Sequence, residues 1–123
     1  MIEAKELRIG NLVKAVHKKS DILNSYIVIE GKHIYDLENG KSEFDFYGIP
    51  ITEEWLLKFG FTQSLAFKSV YFIGTFLSIT LGNKIMFEIN DQIISEIKYI
   101  HQLQNLYFAL TQITDIKLID YKK

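Results

Sequence analysis

The sequence predicts an α+β fold: antiparallel hairpins packed with a short central helix and a C-terminal helix. Three observations predict it. Short runs rich in β-formers alternate with two-residue turn signals in both halves of the chain. A capped amphipathic segment, "PITEEWLLKFGF", interrupts those runs near the middle. Near the C-terminus Leu103, Leu106, Tyr107 and Leu110 recur at helical spacing. A chain of 123 residues fits one α+β domain, 1–123, with a core that needs neither metal nor disulfide.

In the first half, Leu12, Val13 and Val16 mark a strand over Asn11–Val16, and "SYIVIE" marks a second over Ser25–Glu30. Lys18–Asn24 reads as a polar loop between them. Gly31-Lys32 has the form of a type II′ hairpin turn, leading to a strand over His33–Glu38. Asn39-Gly40 is a further hairpin signal, followed by Phe44 and Phe46 alternating with acids. Four such strands predict an SH3-like N-terminal meander.

The central helix is expected over about Glu53–Phe59. Thr52 is a good N-cap, and Glu53 and Glu54 suit the positive end of the helix dipole. Ile51 and Leu56 are spaced for a hydrophobic staple, and Gly60 for a left-handed stop. Gly82-Asn83 and Asn90-Asp91 then mark hairpins joining "GTFLSITL", "KIMFEI" and "IISEIKYI". In the last of these, Ile93, Ile97 and Ile100 lie roughly a quarter turn away from the later leucine stripe at ~100° per residue. A strand ending near Ile100, then a helix over about His101–Thr111, resolves that mismatch. "DIKLIDY" reads as a last edge strand.

The C-terminal helix has two faces. Leu103, Leu106, Tyr107 and Leu110 form a core stripe. The opposite face carries His101, Gln104, Asn105 and Phe108, the last about 150° from the stripe. Two readings compete. Either the helix is sandwiched, with Phe108 buried and the amides bonding loop backbone, or this face recognises a partner with Phe108 as its anchor.

Composition narrows the function classes. The absence of cysteine removes disulfides, thiolate catalysis and Cys-type zinc sites, and fits a reducing cytoplasm. No HExxH, P-loop, GxGxxG or GxSxG motif occurs, so no catalytic residue, metal ligand or cofactor is assigned. Glu43 and Asp45 alternate with phenylalanines, as a solvated sheet face does. Net charge is −1 and Arg8 is the single arginine, which argues against strong nucleic-acid binding. Lys14 with His17-Lys18-Lys19 is the one basic cluster, and a charged loop is usually a solvated one. The first residues lack the apolar stretch of a signal peptide, and no run approaches the ~20 apolar residues of a membrane span.

Three blocks, "LRIGN" (Leu7–Asn11), "IPITEEWLLKFGF" (Ile49–Phe61) and "IKYIHQLQNLYFALT" (Ile97–Thr111), resemble a family of small uncharacterised proteins from phages and mobile elements of Bacteroidota. They lie near both ends and in the middle, so the resemblance spans the chain. It implies a small accessory role in bacterial or phage cytoplasm and no particular chemistry. The resulting expectation is a non-enzymatic protein acting by contact with a protein partner or by self-association, tuning host processes or defence. The alternative is an oligomeric binder of a small nucleotide-like ligand.

Overall fold

The computed structural model describes residues 1–74 and 76–111. The expected strand "DIKLIDY" lies outside them. The chain is α+β, with antiparallel sheets, as the sequence predicts. Its described residues form two compact units, Met1–Ile49 with 99–111, and Pro50–Lys98.

The first unit holds β1 (Leu12–His17), β2 (Ser20–Val28), α1 (Gly31–Glu38), β3 (Phe44–Tyr47) and α3 (Ile100–Thr111). Its sheet has the order β2-β1-β3, all antiparallel. Alternation along the central strand sends Val13 and Ala15 to one face, in register with Ile27 and Phe46 on the flanking strands. That face, with Ile2, Leu7 and Ile29, builds a buried cluster against which Ile34 and Leu37 of α1 pack. The N-terminal segment is fixed beside β3 by the Ile2 N–H donating to the Phe46 carbonyl at 2.8 Å.

Two expectations for this half are corrected. Lys18–Asn24 is a tight turn at Lys18-Lys19 followed by the start of β2, rather than a long loop. Gly31–Glu38 is a helix, so the four-stranded meander is a three-stranded sheet with a helix crossing between β2 and β3. Its start is a reciprocal capping box: the Glu30 side chain takes the His33 N–H, and His33 Nδ1 takes the Glu30 N–H at 2.8 Å. Its end uses Gly40 in the left-handed region (φ 68°), with Gly40 N–H on the Leu37 carbonyl and Lys41 N–H on the Asp36 carbonyl. Asn39-Gly40 is therefore a helix stop, and Ile34 and Leu37, three apart, supply the inward face.

The second unit holds α2 (Glu53–Lys58) and the meander β4 (Thr62–Gln63), β5 (Val70–Ile73), β6 (Leu77–Thr80), β7 (Ile85–Ile89) and β8 (Gln92–Ile97). Here the central helix and the later hairpins stand as the sequence reads them, while β4 and β5 were not expected. Thr52 Oγ1 accepts from the Trp55 N–H at 3.4 Å, and Gly60 (φ 93°) ends the helix with the Phe61 N–H on the Leu56 carbonyl. Asn90 and Asp91 both have positive φ, as a two-residue type I′ hairpin requires. Tyr71, Ile79 and Phe87 face one another across β5, β6 and β7 and are all buried. The Tyr71 hydroxyl donates to the Glu53 carboxylate, tying β5 to the first turn of α2. That bond, with burial and the charge of Glu53, raises the Tyr71 pKa.

Candidate interaction site

α3 begins at Ile100, one residue earlier than the sequence suggests. No Ser, Thr, Asp or Asn caps it. Instead Gln102 reaches back, its Oε1 accepting from the Tyr99 N–H at 3.0 Å. Tyr99 sits against Gly48, where an added Cβ would lie 2.4 Å from the tyrosine ring, so only glycine permits this approach.

The amide face of α3 is the more deeply buried of the two. Gln104 is buried; its Oε1 accepts from the Leu12 N–H at 2.8 Å and its Nε2 donates to the Gly10 carbonyl at 3.2 Å. Asn105 Oδ1 accepts from Asn11 Nδ2 at 2.9 Å and from Arg8 Nη1 at 3.4 Å, while its Nδ2 donates to the Glu6 carbonyl at 3.1 Å. Asn11 is itself buried and its Oδ1 takes the Arg8 N–H at 2.7 Å. The segment Glu6–Leu12 thus has its backbone groups answered by two adjacent amides of the helix. Of these, the Leu12 N–H is buried, where unpaired it would cost about 1–3 kcal/mol. The "LRIGN" and "IKYIHQLQNLYFALT" blocks meet here.

His101 is buried too, its ring stacked on that of Tyr99 at 5.8 Å and 13°. Neither ring nitrogen has a hydrogen-bond partner among the described residues. Desolvation lowers its pKa from 6.5, against the pull of Glu6. Phe108 is 38% exposed, with the Arg8 guanidinium 4.0 Å above its ring. The four residues His101, Gln104, Asn105 and Phe108 therefore lie together, three engaged within the unit and one presenting part of an aromatic face. On the predicted stripe, Leu103 is buried and Leu106 and Tyr107 half-buried. Leu110 is a correction: it stands 45% exposed, because the deepest residues of α3, Ile100, His101, Leu103 and Gln104, lie in its first turns.

The most exposed pair of large apolar side chains that sequence reasoning missed is in the second unit. Between β4 and β5, Leu65 is wholly exposed and Phe67 is 67% exposed. The loop carrying them is braced. Ser64 Oγ accepts from the N–H groups of Ala66 and Phe67 at 3.2 Å, Gln63 Nε2 donates to the Lys68 carbonyl at 2.7 Å, and the Ser64 N–H reaches the Val70 carbonyl at 2.8 Å. The signal was a leucine and a phenylalanine two apart between turn-forming serines, outside any strand or helix pattern. The basic cluster expected at His17-Lys18-Lys19 is a turn closed by His17 Nδ1 accepting from the Lys19 N–H at 3.1 Å. No helix in the described residues is long and apolar enough to cross a membrane. Known protein families, curated proteins and solved structures contain no match to this chain.

Proposed function

We propose that the chain is a non-enzymatic interaction module, a small accessory protein of phage or mobile-element type that works in the cytoplasm by docking on a protein partner. The observation that carries this reading is the braced loop at Leu65 and Phe67. Two large apolar side chains are held in water by backbone hydrogen bonds that restrict their loop. Burying each fully is worth about 1.5–3 kcal/mol, and the bracing lowers the ordering cost of doing so. A convex pair of this kind fits an apolar cleft on another protein. The half-exposed Phe108 ring under Arg8 supplies a second contact of the aromatic-plus-arginine type common at interfaces. The test is affinity capture from the native host with wild-type protein and with L65S/F67S. The expected result is a partner retained by the wild type and lost by the variant at unchanged thermal stability. Equal capture by both overturns the reading.

A second reading rests on a cleft of about 380 Å³ beside α1 and β3, where Lys32 and Lys41 stand near Phe44. Cations beside an aromatic ring suit a small nucleotide-like ligand, although Asp36 and Glu43 on the same rim oppose an anion. A nucleotide at ~100 times its Kd stabilises the protein by about 2.7 kcal/mol. A nucleotide panel that leaves the melting temperature unmoved removes this alternative.

A further inference from the structure

We propose that the cleft between α1 and the turn into β3 binds a small zwitterion, a free α-amino acid with an apolar side chain. The proposal uses the cleft of the second reading above and assigns it a different ligand class. It does not depend on the Leu65–Phe67 contact.

Four charged side chains stand around this cleft, two of each sign. Lys32 and Asp36 come from α1, and Lys41 and Glu43 from the turn that precedes β3. Among the described residues none of the four takes part in an ion pair. Lys32 and Asp36 are four apart on the helix, but with the lysine first, the weaker order for pairing. His33 does not add a fifth charge, because its Nδ1 accepts the Glu30 N–H at 2.8 Å, which a doubly protonated ring cannot do.

The cleft also has an apolar wall on a fixed backbone. Phe44 and Phe46 alternate along β3 and share a face, Phe46 buried and Phe44 half-buried. The Lys41 N–H donates to the Asp36 carbonyl at 2.8 Å, and the Lys18 N–H to the Glu43 carbonyl at 2.9 Å. Between them the Ser42 hydroxyl donates to the Phe44 carbonyl at 2.8 Å. The segments that carry the charges are thus set before a ligand arrives, as is usual for small-molecule sites.

Charge balance selects the ligand. A pure anion is drawn by two ammonium groups and repelled by two carboxylates, and a pure cation meets the converse. An uncharged ligand leaves all four groups to water. A molecule carrying both signs can gain from every one of them. An α-amino acid holds its ammonium and carboxylate side by side, with its side chain free to lie on Phe44. Size agrees: about 380 Å³ is near the low end of the ~300–1,000 Å³ of ligand pockets, which suits a molecule smaller than a nucleotide.

The test is calorimetric titration of the full chain with L-phenylalanine, L-leucine and L-methionine, with ATP as the anionic comparison. At least one of the amino acids should bind, and ATP should not. The amide of that amino acid lacks the carboxylate, and its N-acetyl derivative lacks the ammonium. Each should bind at least about tenfold more weakly than the parent. Lys41→Met and Asp36→Asn each remove one charge of the cleft and should weaken the parent by a similar factor, with circular dichroism showing that both variants are folded. The proposal is overturned if none of the three amino acids binds, if both derivatives bind as tightly as the parent, or if neither variant changes the affinity. ATP bound in place of the amino acids also overturns it and leaves the nucleotide reading standing, whereas a chain that binds neither ends both. If a variant misfolds, the derivative series decides.

Discussion

In the Pro50–Lys98 unit every strand pairs with its sequence neighbour, and hairpin turns at Asn90-Asp91 and around Gly82 suffice to order the sheet. In the other unit β1 lies between β2 and β3, the second reached only after α1, and its entry, Glu6–Leu12, is held by side chains 92 to 99 residues away. One unit is closed by local backbone geometry, the other by two amides arriving from the far end of the chain. The difference teaches that polar residues on an amphipathic helix are poor guides to exposure. Gln104 is as buried as Leu103, because its carboxamide offers a donor and an acceptor at the spacing that Gly10 and Leu12 require.

Three substitutions or conditions sharpen this contrast. The largest effect is expected from Gln104→Ala, which leaves the buried Leu12 N–H and the part-buried Gly10 carbonyl without their partner. It should lower unfolding free energy by about 1–3 kcal/mol in denaturant titrations. A loss under a few tenths would show that water serves those groups as well. Thr52→Ala probes the locally built unit and removes a single cap bond; the expected cost is about 1 kcal/mol at unchanged m-value. An unaltered midpoint would mean that the 3.4 Å contact contributes nothing.

The smallest effect at neutral pH belongs to His101. Its folded-state pKa is depressed by burial, so the unfolded chain binds the proton more readily. Stability is then level above the unfolded value of 6.5 and falls as pH drops below it. His101→Gln, which cannot charge, should flatten that limb relative to the wild type. Parallel pH profiles for the two proteins would remove His101 as the cause.

How much of this was legible follows from where each signal lies. The α2 cap, its glycine stop and the Asn90-Asp91 turn were readable because their determinants sit within a few residues of the structure they set. α1 was misread because Asn39-Gly40 serves a helix stop and a hairpin equally well, and because its cap is glutamate with histidine rather than Ser, Thr, Asp or Asn. The amide latch was half legible. The residues stood out, but nothing near them in sequence shows that Gly10 and Leu12 are their partners. The start of α3 was blurred for a similar reason, as Gln102 caps from inside the helix.

The latch also has a consequence for the order in which the chain is made. Leu12 leaves the ribosome before the glutamine that completes its hydrogen bonding, which is 92 residues behind it. Loop closure over such a span is slow to form although each doubling of length costs only about 0.6 kcal/mol. By then the hairpins of β5 to β8, which pair with one another among the described residues, have been synthesised. While the residues between Leu12 and Gln104 are made, β1 has its entry segment unsealed, and α3 is the helix that seals it.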